Sequence, residues 1–396
     1  LDVNGATAFA LQSAVGAYAD EAYTNAKKLV STGITAPNPM IDKNTETYIG
    51  QMRWFKPMNP TIEVASLTSS TDGTGSTYSS DFSQYIKTVR THGATKINMQ
   101  TLVTQQDGLA KVGRDFGETK AQDQHNALLA VLKGVAISEA LCGAANGSTW
   151  GTNSAASGLG GQTFDNDPTD QKYGFYVDLG SAKPVVAATT AVQGAARAEG
   201  FLTAIGMAWK DYEPDWMYLI TSPEVYASLR SANLVDENRV QEANVTFETI
   251  FGGKFRLIQT RASQAMSGTE LTRINTGAGV DIVGTKTSFV VLPGALAFEE
   301  LDVPDPVEVQ RNVKAYKGGG STDMWHRWGY VIQPKGYSWA GDITAFPSDA
   351  DYKKVSVAGT TEVLGGATVI GQQTYGVWQR KAASALELGI LPIFHS

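Results

Sequence analysis

The chain is expected to be α+β, on three observations. Residues 123–142 form a strongly apolar helix in which Leu128, Val131, Leu132, Val135, Ala136 and Ala140 belong to a stripe covering more than half the circumference. The middle of the chain alternates helical stripes with short apolar strands, and the last hundred residues read mostly as strands.

From the N-terminus, Leu11, Val15, Tyr18, Ala22, Ala26 and Leu29 recur at steps of 4, 3, 4, 4 and 3, which is one narrow face of a helix. Lys27 and Lys28 suit its C-terminal dipole, and Gly33 can end it. Such a helix packs on its own domain or docks elsewhere as an arm. The adjoining residues favour the arm. Residues 34–60 hold Pro37, Pro39, Pro57 and Pro60 and no helical period, so they run extended, and a structureless stretch of that length is uncommon inside a compact domain.

A hairpin comes next. Ile62 and Val64 alternate about Glu63, residues 69–81 are polar, and residues 82–102 scatter Ile86, Val89, Ile97 and Met99 among Thr, Lys and Arg. Two strands with so little apolar content make no core alone. The hairpin therefore lies on a neighbour or extends into solvent, although an ordinary surface hairpin fits the same residues.

The apolar helix 123–142 belongs beneath a sheet or between layers, with Gly143 at its end. A Gly/Ser/Asn loop over 144–170 and a helical stripe from Val192 to Trp209 come after it. Trp216–Ile220 is a short strand, and Ser222 caps a helix that has Pro223 at its first position and runs to about Ala232. Gly252-Gly253 turns into a strand at 254–261, with another at 288–292. Further strands are expected over 307–316, 325–339, 363–370 and 385–394, with a loop region at 342–351.

Composition narrows the function. Charged residues make up 18% of 396 positions, against about 25% in an average soluble domain, and the net charge is −7. An acidic chain of pI about 5.3 does not draw affinity from gripping phosphates. One cysteine, Cys142, leaves no intrachain disulfide and no cysteine zinc site. No apolar run approaches the ~18–20 residues of a membrane span, and the opening Leu-Asp-Val-Asn-Gly shows no signal-peptide pattern.

Chemistry-bearing motifs are absent. His92, His125, His326 and His395 lack metal-ligand spacing and read as structural or exposed. In the stretch Gly279–Thr287, Thr285 separates the glycine and lysine that a phosphate loop needs side by side. Asp165, Asp167 and Asp170 fail the calcium-loop pattern, because its sixth position is Asp170 and its twelfth Tyr176. Trp325, Trp328, Tyr330, Tyr337 and Trp339 suggest ring stacking on a sugar or base. With only His326, Arg327 and Lys335 nearby, packing inside the protein is the stronger reading.

Four stretches carry a resemblance. They are QHNALLAVLKGV at 124–135, residues 216–229 with 252–261, WHRWGYVIQPKGYSW at 325–339, and Trp378-Gln379-Arg380-Lys381 before an apolar strand. Taken in order, they are similar to the major capsid (coat) protein of tailed bacteriophages, a fold shared with herpesvirus capsid floors and encapsulins. The resemblance implies an N-terminal arm at 1–60 and an extended β-hairpin flap (E-loop) at 61–104. A peripheral domain with a long spine helix would span 105–185 and an α/β axial domain 186–300. Peripheral return strands would occupy 301–345, and a C-terminal segment, 346–396, would complete the axial domain.

It further implies a structural subunit that forms hexamers and pentamers of itself in an icosahedral head shell. That shell would enclose double-stranded DNA without sequence-specific binding, be joined by portal and scaffolding or cement proteins, and be assembled in the host bacterial cytoplasm. No enzymatic activity, catalytic residue, cofactor, metal or membrane is implied. The expected assembly contacts are Leu11, Val15, Tyr18, Ala22 and Leu29 on the arm and Ile86, Lys87 and Lys96 on the flap. Two other readings stand beside this one: an encapsulin-like compartment, and a carbohydrate-binding protein using residues 325–339. If the arm docks on neighbours, replacing Leu11, Val15 and Tyr18 together by Ser lowers the yield of particles seen by negative-stain microscopy; an unchanged yield removes that role.

Overall fold

The computed structural model describes residues 3–26, 30–55, 80–97, 108–145, 177–178, 215–231, 235–242, 245–250, 252–260, 286–341, 343–356, 375–381 and 388–395. Several expectations fall outside them. These are Leu29, the strand at Ile62 and Val64, the helical stripe from Val192 to Trp209, the acidic loop at Asp165–Asp170, and the strand at 363–370.

Two sheets are joined by one helix. The first runs β1 (Thr35–Ala36), β10 (Leu296–Leu301), β12 (Ser321–Pro334), β3 (Ser80–Ile97), β2 (Ile49–Phe55), with β11 (Val307–Asn312) also paired to β12. The second runs β4 (Val177–Asp178), β17 (Ile390–His395), β9 (Lys286–Val291), β5 (Met217–Thr221), β8 (Phe255–Gln259), β7 (Val245–Ile250), β6 (Val235–Glu242). The chain passes from β9 in the second sheet to β10–β12 in the first. It then returns to the second as its last strand, β17, antiparallel to β9.

The joining helix, α2 (Gly108–Ala145), is 38 residues long. From Ala127 to Ala140 every residue is buried, and its apolar side chains share one core with both sheets. Burial on all sides requires close neighbours. A Cβ on Gly134 would collide with the carbonyl oxygen of Tyr352, so the C-terminal segment rests directly on the helix backbone. That segment contributes β13 (Tyr337–Trp339) with β16 (Trp378–Arg380) and β14 (Val355–Ser356) with β15 (Tyr375–Gly376).

The apolar stripe at 123–142 marked only part of this helix. Residues 109–122 carry few large apolar side chains and two glycines, Gly113 and Gly117, which disfavour an isolated helix. Those glycines are the docking site of α1 (Val3–Ala26). A Cβ on Gly117 would collide with the carbonyl oxygen of Ala19, and one on Gly113 would meet Cβ of Tyr18 at 2.6 Å. Backbone approach at small residues replaces a bulky seam.

The arm reading is therefore corrected for the described part of α1. Its buried face is Val15, Ala19, Ala22 and Tyr23, against α2 and β11 of its own chain. Tyr18 is half-buried at the crossing, and Leu29 lies outside the described residues. The triple serine variant would damage this packing as well as any docking, because Val15 is already covered.

The flap is redrawn too. Extended backbone is found at Thr35–Ala36 and Ile49–Phe55, and β3 pairs with β2 in register Ile49↔Ile86 to Phe55↔Ser80. This proline-free stretch lies between Pro39 and Pro57. Residues 87–97 of β3 pair with 321–331 of β12, so this part of the expected flap belongs to the first sheet. Among the described residues, 49–55 and 80–86 form a two-stranded ribbon, and β13 reaches its base through the hydrogen bond from Gln84 N to Ser338 Oγ (2.9 Å).

In the second sheet, α3 (Pro223–Ser231) begins at the expected cap, with Val225 N donating to Ser222 Oγ at 3.5 Å. Gly252 and Gly253 turn into β8 with φ of 69° and 95°, a region where side chains are strained. β5 and β8 are parallel, while the β9 contacts are antiparallel.

Replacing Gly117 by Leu forces α1 off α2. The expected result is a loss of about 1–3 kcal/mol or more, read as a lower urea midpoint, with faster proteolysis within α1.

Candidate functional site

For a protein without a reactive motif, the candidate site is its outer surface and the joints that hold that surface in shape. Alternate residues on β3, β10 and β12 face the helices; two polar joints form there and a third joins α2 to β16.

The first joint centres on Asp123 of α2. Its Oδ2 accepts from Trp328 Nε1 and from the Tyr330 hydroxyl, both at 2.9 Å, and its Oδ1 lies 3.4 Å from Arg90 Nε. Arg90 also donates to Asp349 Oδ1 at 3.1 Å and to the Pro347 carbonyl. Thr88 bonds the buried Tyr352 hydroxyl. Burial raises the Asp349 carboxyl despite Arg90 beside it, and burial holds the Tyr352 hydroxyl well above the ordinary phenol range. One carboxylate thus ties α2, β3, β12 and the C-terminal segment together.

The second joint is a buried ion pair. Arg380 of β16 donates Nε to Glu139 Oε1 at 3.0 Å and Nη2 to Glu139 Oε2. The third fastens α1: the Tyr23 hydroxyl meets Gln124 Oε1 at 2.7 Å and Glu300 Oε1 at 2.6 Å, while Lys120 Nζ sits 3.2 Å from Glu300 Oε2 and 4.1 Å above the Tyr23 ring. Burial and the Glu300 charge hold the Tyr23 hydroxyl far above its usual range. Burial alone would raise Glu300, but Tyr23 and Lys120 outweigh it and keep the carboxyl low.

Of the five expected assembly contacts whose side chains are described, four are buried. Ile86 and Lys87 are both 0% exposed. The Lys87 ammonium donates to Asp42 Oδ2 at 3.0 Å and to the Asn44 carbonyl, pinning the extended segment 30–48 across the outer face of the sheet. Ile41, Tyr85, Leu301 and Val331 pack together there. Val15 and Ala22 are buried under their own chain. Leu11 lies on α1 and Lys96 on β3, opposite Thr322, with their side chains outside the described residues. Tyr18 is the one flank of the set left half-open.

The large apolar side chains that are exposed sit elsewhere. Phe82 is 52% exposed at the far end of the ribbon, with the Arg53 guanidinium 5.0 Å from its ring. Trp325, 42% exposed, lies on the outer face of β12 against Gly93. Val313 and Tyr316 occupy the tip between β11 and β12. There Tyr316 and Lys317 both adopt left-handed φ, near 50°, and Asn312 Oδ1 accepts from the N–H groups of Lys314 and Ala315.

Of the five aromatic residues in 325–339, Trp328, Tyr330, Tyr337 and Trp339 are buried, so Trp325 alone of the five is open to solvent and they form no stacking platform. Among the described residues, no group of three His, Cys, Asp or Glu could hold a metal ion, and no helix is long and apolar enough to cross a membrane.

Sequence reasoning passed over Asp123, Glu139, Tyr23 and Glu300. Glu139 carried a signal: a carboxylate inside a continuous apolar helix demands a buried cation, and Arg380 stands in the Trp378–Lys381 stretch that carries part of the resemblance.

No protein-family model matches the chain, and no curated protein matches it. Solved structures do, and the similar ones are phage capsids. The capsid of Ralstonia phage GP4 is 13% identical, with 78% of this chain and 84% of that one covered and a TM-score of 0.46. An acid-stable capsid of Helicobacter pylori bacteriophage KHP30 is 9% identical over 93% of this chain and 91% of that one, with a TM-score of 0.43. The mature capsid of bacteriophage PhiM1 is 13% identical over 74% and 81%, with a TM-score of 0.39.

Replacing Glu139 by Gln leaves the Arg380 charge buried without its counterion. The expected cost is about 3–5 kcal/mol in chemical denaturation, whereas the double change Glu139→Leu with Arg380→Met restores most of it.

Proposed function

We propose that this chain is a major capsid protein of a tailed bacteriophage, assembling through hexamers and pentamers into the icosahedral head shell around the genome. The observation that carries this is the two-sheet body on one spine helix, with a ribbon reaching beyond the first sheet. A container wall needs a subunit that keeps its shape while its edges are loaded by neighbours. The buried spine with its polar joints gives that stiffness, and the ribbon offers an edge beyond the body.

Many modest contacts then add through symmetry and effective concentration, so none needs to be tight alone. The acidic balance suits a lining that encloses DNA without holding it. Portal and scaffolding or cement proteins, and assembly in the host cytoplasm, belong to the same proposal. The shell contacts are assigned to the ribbon end at Arg53 and Phe82 and to the half-open Tyr18 of α1, in place of the buried Ile86 and Lys87.

The purified chain is expected to form closed particles or capsomer rings in negative-stain images, and particles from infected cells to contain DNA. A chain that stays monomeric under all assembly conditions overturns the proposal, and particles filled with an enzyme overturn the phage reading. Replacing Phe82 by Ser is expected to abolish or deform the particles while the stability of the isolated chain in urea shifts by no more than about 0.5 kcal/mol, as for other surface substitutions.

A further inference from the structure

His326 is on β12, 6% exposed, and its ring lies between the sheet and the helices. It stacks on Phe116 of α2 at 5.5 Å and 22°, and sits 5.1 Å from Trp328. Phe116 is itself fully buried, in a cluster with Val15 and Ala19 of α1, Val307 of β11 and Met324 of β12. The residue paired with His326 across the strands is His92 of β3, which meets Phe116 edge-on at 5.5 Å. The His326 Nδ1 is buried with no hydrogen-bond partner.

We propose that His326 is a proton-sensitive catch between the first sheet and the helical layer made of α1 and the first turns of α2: acid loosens that layer while the rest of the body stays folded. A neutral imidazole can leave Nδ1 bare as an acceptor. An imidazolium carries N–H on both nitrogens, and here one would point into an apolar layer without an acceptor. Nor does a counter-charge stand ready. α1 contributes Val15 and Ala19, and β11 contributes Val307 and Val309. From α2 come Val112, Phe116 and the cationic Lys120, and from β3 come Ala94 and His92, a second imidazole whose charge opposes that of His326. Asp123 and Glu300, on the same side, are already tied to Arg90 and to Lys120 with Tyr23.

Burial first, then Lys120 and His92, lower the ring to about 4 from the ordinary 6.5. In that window the loosened layer, with a solvated ring, binds a proton that the closed layer does not. The closed form therefore loses ground as pH falls from 6.5 toward 4. Glu300 keeps its charge over most of this range, because its carboxyl is held below the usual value, so the Tyr23 anchor does not fail first.

The test is hydrogen exchange of the full chain by mass spectrometry from about pH 7.5 to 4, comparing wild type with His326→Phe at each pH so that chemical exchange cancels. Near pH 4.5, amides in 12–26 and 108–122 are expected to exchange at least about tenfold faster in the wild type than in the variant, relative to pH 7.5. Amides in 127–140 stay protected in both. His92→Gln removes a neighbouring imidazole that opposes the His326 charge and is expected to move the wild-type transition to lower pH, which tests the idea even where His326→Phe folds poorly. Equal acid responses in wild type and His326→Phe, an unmoved transition in His92→Gln, or simultaneous loss of protection in 127–140 overturns it.

Discussion

The complete burial of α2 between Ala127 and Ala140 is the constraint on which the remaining architecture depends. A helix wet on one side needs a single partner, but one covered all round must be surrounded, and this chain surrounds it with two sheets and a C-terminal segment. The C-terminal segment comes within backbone distance at small residues. Gly134 admits the Tyr352 carbonyl, and Ser138 bonds Trp378 N at 3.1 Å while a Cβ on Gly376 would strike it. Enlarging either position would separate layers that share one core.

Polar groups in such an interior must be matched, since an unpaired buried charge costs several kcal/mol. The matching sets the geometry. Glu139 finds Arg380, and Asp123 collects Trp328, Tyr330 and Arg90. These bonds are directional where apolar packing is not, so they specify the register of α2 against β12 and β3. His326 departs from this matching: its buried Nδ1 is left without a hydrogen-bond partner.

The limbs show the same economy. α1 and the segment 30–48 cover opposite faces of the first sheet, one through Gly113 and Gly117, the other through Lys87, Asp42 and Tyr85. An amine buried at the centre of a sheet face is held by a carboxylate from that segment, so the two fold as a unit. Among the described residues, the end of the β2–β3 ribbon and the strained tip at Tyr316 and Lys317 lie outermost on this sheet.

The amino-acid order alone determined the α+β class, the existence of the spine helix, the Ser222 cap, the Gly252-Gly253 turn and the positions of β5, β8, β9 and β11, because periodicity, capping and turn chemistry are local. It also placed most of the 325–339 aromatics inside, from the lack of neighbouring charge. Tertiary structure decided the rest. The first turns of α2 exist because α1 lies on their glycines, a stabilisation that no window of sequence contains. β3 pairs with β12 as well as with β2, since strand pairing is selected by register across a sheet and not by nearness along the chain. Lys87 is interior although lysines are normally exposed, because its counter-charge arrives from Asp42, 45 residues away in the chain.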